Sequence, residues 1–144
     1  MAVVLRSWGS GLVVLAAGVV VAVISWSGGA TVGAVLQLAL FALLAALLSP
    51  LAFPRSVSAA DAARAGKPIV YWRPGCQFCL RLRFALLGSA RRASWVNIWT
   101  DPEAAAAVRT AAAGNETVPT VAARGETRVN PSPHWVRDQL TGRS

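Results

Sequence analysis

The sequence predicts an α/β domain with a four-stranded mixed sheet, preceded by a transmembrane helical hairpin. Three observations predict it. Residues 9–26 and 30–48 hold no charged side chain and consist mostly of Val, Leu, Ala, Ile and Gly. From residue 67 onward, short β-branched and aromatic runs alternate with helical stretches in the order β-α-β-α-β-β-α. The last two of those runs are separated only by Ala123 and a turn at Arg124-Gly125-Glu126. Strands joined through a helix pair in parallel and strands joined by a tight turn pair antiparallel, so the sheet is mixed.

Each apolar run makes roughly 27 Å of helix, close to the ~30 Å of a hydrocarbon core. A backbone in lipid must satisfy its own hydrogen bonds, so both runs are expected as helices joined by a hairpin at Ser27-Gly28-Gly29. Trp8 and Trp26 suit the two interfaces of the first span. Gln37, the one amide in either run, is expected to bond across to the first helix rather than to serve transport. Neither run carries a charge or a proline to mark a solute path. The alternative of a cleaved leader, with Arg6 as its charged region, lacks a good cleavage site before Gly28 and is followed at once by a second span.

Basic residues flank the outer ends of the pair (Arg6 before, Arg55, Arg64 and Lys67 after), and the link has none. The positive-inside rule then puts both termini and the following domain on the cytoplasmic side of the cell membrane, inner or plasma. Pro50 and Pro54 close the hairpin unit at 1–54. Residues 55–66 read as a linker or a short helix capped by Ser58, and 67–144 as the folded domain.

The chain has 144 residues and a formal charge of +8, nearly all from arginine, Lys67 being the sole lysine. The basic residues stand singly or in pairs, without an aromatic-interleaved patch or nucleic-acid motif. The expected partner is therefore membrane lipid with anionic headgroups, and not nucleic acid.

Within the domain, Ile69-Val70-Tyr71-Trp72 reads as a buried strand and Arg73-Pro74-Gly75 as a turn. Leu80, Phe84 and Leu87 then recur at the spacing of a helix's apolar stripe, with Gly88 as the stop. Residues 94–99 form the second strand, with Trp95 and Trp99 on one face beneath a helix. Thr100-Asp101-Pro102-Glu103 starts a helix that Gly114-Asn115 closes. Residues 118–122 and 127–129 are the last strands. Ser132-Pro133 opens a final helix over 133–140, with Trp135, Val136 and Leu140 on one side and His134 exposed.

The chemistry concentrates at Cys76 and Cys79, the only cysteines, spaced C-x-x-C. The strand-turn-helix order puts Cys76 at the start of a helix and Cys79 one turn along. Unpaired N–H groups and the dipole at a helix start stabilise a thiolate, the reactive form of cysteine. Arg73 adds positive charge nearby. Cys76 is thus expected as nucleophile and Cys79 as the thiol that resolves a mixed disulfide. A structural disulfide over so short a loop removes little chain entropy. A zinc site within one chain lacks ligands, since His134 is the sole histidine, so no metal is expected. A metal or iron–sulfur site shared between two chains, a non-catalytic membrane adaptor and a redox sensor stay as alternatives.

Together the strand-turn-C-x-x-C-helix, Thr117-Val118-Pro119 and the element order resemble the glutaredoxin family of the thioredoxin-like fold, over about residues 67–140. Tyr71-Trp72-Arg73-Pro74-Gly75-Cys76, the run 97–104 and Val129-Asn130-Pro131-Ser132 are similar to the mycoredoxin-like proteins of actinobacteria. The resemblance implies a thiol–disulfide oxidoreductase, with Cys76 as the catalytic nucleophile, Cys79 as its resolving partner and Pro119 as a cis-proline facing them. It implies substrate contacts from Arg73, Gln77, Phe78, Thr117, Val118 and Pro119, with the Val118 backbone pairing to an extended thiol. It implies no bound cofactor, but a low-molecular-weight thiol, mycothiol or glutathione, as co-substrate, and a disulfide-containing protein as target. Gln77-Phe78 replaces the usual Pro-Tyr. Asn130-Pro131-Ser132 stands where a Gly-Gly-Asp segment would bind the γ-glutamyl end of glutathione.

Overall fold

The computed structural model describes residues 2–142. The chain forms two compact units, Met1–Ala52 and Phe53–Ser144.

The first unit is a helical hairpin, α1 (Ala2–Ser27) and α2 (Thr31–Leu48), joined through Gly28 and Gly29, the latter in the left-handed region at φ 83°. The stretches Trp8–Ser27 and Thr31–Leu48, with mean hydropathy 2.2 and 2.3, are long and apolar enough to cross a membrane. Small residues set the approach of the two helices. A Cβ on Gly18 would sit 2.3 Å from Cβ of Phe41, and one on Gly11 would sit 2.9 Å from the Ala45 carbonyl oxygen. Ala22, Ala34 and Ala45 are buried along the same seam. Ser25 Oγ donates to Gln37 Oε1 at 2.7 Å, the cross-helix bond expected of that amide.

The second unit is built on a four-stranded sheet of order β2-β1-β3-β4, from β1 (Ile69–Trp72), β2 (Ser94–Asn97), β3 (Thr120–Ala123) and β4 (Glu126–Val129). β1 pairs with β2 in parallel, with Val70 opposite Trp95, and with β3 antiparallel, with Val70 opposite Val121. β3 and β4 are antiparallel, linked by Arg124 and Gly125, both at positive φ as a tight hairpin turn requires. Around the sheet lie α3 (Ala59–Arg64), α4 (Gln77–Ala85), α5 (Pro102–Ala111) and α6 (Pro133–Thr141). The core holds Val70, Trp72, Trp95, Val96, Val108 and Val121. Phe53 stacks on Trp72, with ring centroids 4.0 Å apart.

The stretch 55–66, expected as a linker or a short capped helix, lies along the outer edge of β2. The Val57 amide donates to the Trp95 carbonyl at 3.0 Å, and the Asn97 amide donates to Ser56 Oγ at 2.8 Å. This covers an edge that would otherwise leave backbone groups unpaired. Ser58 caps α3, accepting from the Asp61 amide at 3.1 Å. Asp101 joins two elements: Oδ1 accepts from the Ala104 amide at 3.0 Å as the cap of α5, and Oδ2 accepts from the Ala59 amide at 2.7 Å. Losing a cap and a second charge-assisted bond together costs about 2–4 kcal/mol. Asp101→Ala is therefore expected to lower the thermal midpoint of the second unit by roughly 10–20 °C, read by the near-ultraviolet signal of its tryptophans; an unchanged midpoint would refute the joining role.

Three local expectations are corrected. The second strand ends at Asn97, not Trp99, because Asn97 Oδ1 takes the Trp99 amide at 3.0 Å and Asn97 O takes the Thr100 amide at 3.1 Å, turning the chain. Trp99 therefore sits half-buried in that turn and does not share a strand face with Trp95. The third strand starts at Thr120, not Val118, since Pro119 has no N–H for a ladder and its bond to Val118 is cis. On α4 and the turn that closes it, Cys79, Leu82 and Leu86 are buried, while Phe84 and Leu87 of the expected stripe are 50% and 63% exposed.

Candidate active site

β1 runs out at Trp72, and the turn Arg73-Pro74-Gly75 delivers Cys76 to the N-cap of α4. Gly75 at φ 74° makes the reversal that lets the next residue cap. Sγ of Cys76 takes the capping position usually filled by an oxygen: the Cys79 amide donates to it at 3.2 Å. As a thiol, Cys76 donates to the Val118 carbonyl at 3.4 Å, which brings the cis Val118–Pro119 peptide against the pair. The Asn130 amide in turn donates to the Pro119 carbonyl at 2.7 Å. Both cysteines are free thiols; Cys76 is 8% exposed and Cys79 0%.

These surroundings split the two thiols. The Cys76 pKa is drawn down from 9.0 to about 6, first by a hydrogen bond from the Cys79 thiol, then by the Cys79 and Phe78 amides, and last by the Arg73 charge, against an opposing effect of burial. The helix start anticipated from the sequence thus contributes, but the neighbouring thiol contributes most. Burial, followed by the Cys76 sulfur beside it, pushes the Cys79 thiol well above the ordinary range. One sulfur is poised as a thiolate at neutral pH and the other holds its proton beneath it.

A cleft of about 500 Å³ opens beside Cys76, lined on one side by Arg73, Gln77 and Phe78 and on the other by Asn115 to Val118. A second groove of about 240 Å³ lies past Phe78 and Pro119, lined also by Arg81, Asn130 and Ser132. All eight residues singled out from the sequence line or border these two spaces: Cys76 and Arg73, Gln77, Phe78, Thr117 and Val118 line the cleft, Pro119 the groove, and Cys79 lies beneath. The Arg73 guanidinium lies 5.9 Å from the Trp99 ring centroid, which holds it beside the turn. Sequence reasoning missed Asn115, Glu116 and Arg81. The first two immediately precede Thr117-Val118-Pro119, so adjacency to that tripeptide was the available signal. Arg81 sits one turn after Gln77, a position that only the helix phase reveals. Glu116 pairs with Arg109 at 2.7 Å. His134 pairs with Asp138 at 3.0 Å, its side chain exposed.

A mixed sheet with a cysteine at the helix start after its central strand, a second cysteine one turn on and a cis-proline opposite defines a dithiol domain of the thioredoxin-like fold. Within that class, residues 69–128 match the glutaredoxin family model, so the second unit carries a glutaredoxin domain, and this supports thiol–disulfide oxidoreductase chemistry. No curated protein sequence matches the chain.

Proposed function

We propose that this protein is a membrane-anchored thiol–disulfide oxidoreductase that reduces mixed disulfides or protein disulfides, with a low-molecular-weight thiol as its reductant. The observation that carries this reading is the Cys76 sulfur, held at a helix N-cap by the Cys79 amide in an open cleft with Cys79 buried beneath. The Cys76 thiolate attacks one sulfur of a substrate disulfide, the substrate S–S bond breaks, and the other substrate sulfur departs as thiolate and takes up a proton. Cys79 then attacks Cys76 Sγ, giving its proton to the departing thiolate; the mixed disulfide breaks and the Cys76–Cys79 disulfide forms. Two molecules of reducing thiol restore the dithiol and leave as their own disulfide.

Arg73, Gln77, Phe78 and Thr117 line the substrate cleft, and the Val118–Pro119 backbone orients an incoming disulfide against Cys76. The second groove presents Arg81, Asn130 and Ser132 rather than a glycine pair and a carboxylate. That lining favours mycothiol, rich in hydroxyls, over glutathione, in keeping with the mycoredoxin-like motifs. In this reading the two apolar helices are the membrane anchor, and the basic residues that flank their outer ends support a cytoplasmic placement of the domain. Anchoring raises the effective concentration of membrane substrates.

The test uses the full chain, oxidised to the Cys76–Cys79 disulfide and placed in lipid nanodiscs. Mycothiol and glutathione, each with its own recycling system, are compared as reductants. Faster reduction by mycothiol is expected. Reduction by glutathione alone removes the mycothiol assignment, and reduction by neither defeats the oxidoreductase reading.

A further inference from the structure

α4 turns outward the stripe that its sequence marks as apolar. Cys79, Leu82 and Leu86 fill the core, so Leu80, Phe84 and Leu87 fall on the opposite side, Leu80 partly covered and the other two open. Leaving Phe and Leu side chains of one stripe in water forfeits burial worth about 1.5–3 kcal/mol each, an arrangement that marks an interaction surface. Arg81, exposed, shares the helix with the stripe, as does Arg83, whose Nε is buried; Arg91 and Arg92, both exposed, follow within five residues of Leu87. Among the described residues none of these four arginines forms an ion pair. Their surroundings in sequence are one-signed: between Asp61 and Asp101 lie seven of the 14 basic residues and no acidic one. Elsewhere in the domain Asp61, Glu116, Glu126 and Asp138 each have a basic partner of their own.

We infer that this face of α4 is a docking surface for an anionic lipid bilayer. Exposed apolar side chains accompanied by unpaired arginines are what the headgroup–acyl boundary accepts: Phe84 and Leu87 enter the boundary, and the exposed Arg81, Arg91 and Arg92 stay level with the phosphates. The chain supplies the location as well as the chemistry. The inference rests on reading the two apolar helices as spans, and residue 53, where the domain begins, follows the second helix by five positions. Cys76 caps the same helix about 12 Å along its axis from Phe84. Docking therefore keeps the cleft near the headgroup layer, where its substrates are disulfides of membrane-proximal segments.

The test places an environment-sensitive fluorophore at Leu87→Cys, or at Thr110→Cys on α5 as control, in the full chain carrying Cys76→Ser and Cys79→Ser. The protein is reconstituted into phosphatidylcholine vesicles, with or without phosphatidylglycerol, containing a lipid-borne shallow quencher. Expected is strong quenching at position 87 with phosphatidylglycerol present, weaker without it and in high salt, and little at 110 under any condition. Each of Arg81→Gln, Arg91→Gln and Arg92→Gln is expected to lower the docked-to-free ratio about fivefold. Equal quenching at 87 and 110 overturns the inference. So does shielding of position 87 that depends on protein density and not on lipid charge, which would assign the face to a second copy or a protein partner. Resistance of the full chain to alkaline carbonate extraction is scored separately. Extraction would sink the anchor reading, while quenching at 87 by added anionic vesicles would still support the surface.

Discussion

Replacing Cys76 with Ser in the full-length protein is expected to abolish disulfide exchange, a loss on the order of a thousandfold or more, because a serine hydroxyl is neither ionised nor nucleophilic at neutral pH. Cys79→Ser is expected to behave differently. Its buried position lets it reach only the sulfur directly above it, so its removal blocks formation of the internal disulfide and leaves the first attack intact. That variant should still turn over small-thiol mixed disulfides, where a second small thiol can resolve the intermediate, and should trap protein disulfides as stable mixed species. The two outcomes separate on one gel and one coupled assay. Full exchange activity in Cys76→Ser, or equal loss of both activities in Cys79→Ser, would defeat the division of roles.

The second large effect concerns acidity. In the wild-type protein, alkylation at Cys76 should rise with pH through about 6 and level off by neutrality, since that is where the thiolate forms. The foremost cause is the Cys79 thiol donating to Cys76, and a hydrogen bond to a charged group is worth about 1.5–3 kcal/mol. Cys79→Ala deletes that donor and should move the Cys76 pKa to between about 7 and 8, whereas Cys79→Ser, which keeps a hydroxyl donor, should stay closer to about 6. Because folding lowers this pKa, the thiolate contributes to the stability of the reduced protein fully above the ordinary thiol value near 9. That contribution shrinks as pH falls and is gone below about 6. Absorbance of the single remaining thiolate in Cys79→Ala gives the number directly. Identical titrations of the Ala and Ser variants would show that the helix amides, and not the neighbouring sulfur, set the acidity.

Much of the architecture was legible because the chain states it locally. Val and Ile with aromatic neighbours gave β1 at its observed limits, and a serine or aspartate before a proline gave the starts of α5 and α6. The uncharged runs gave both apolar helices, since neither holds a charged side chain or a polar face for water to wet. What failed was the phase of α4. Leu80, Phe84 and Leu87 make a convincing stripe by spacing alone, and the sequence holds a second, competing one in Cys79, Leu82 and Leu86. Periodicity cannot choose between two apolar faces of one helix. The choice is made where Cys76 must cap the helix and meet Val118, which fixes the rotation of every later residue.

By itself, then, the amino-acid order determined the element types, the strand directions, the two apolar helices and the C-x-x-C pair, because propensity, capping and hydrophobic pattern act over a few neighbouring residues. The packing of the tertiary structure brings Cys76 and Val118, 42 positions apart, into contact, an approach that the family resemblance implied and no local pattern carried. It also decided that the stretch at 56–57 would close the edge of β2, and that Phe84 and Leu87 would face outward. Those outcomes depend on which distant groups the packed sheet brings into contact, and no short window of sequence carries that information.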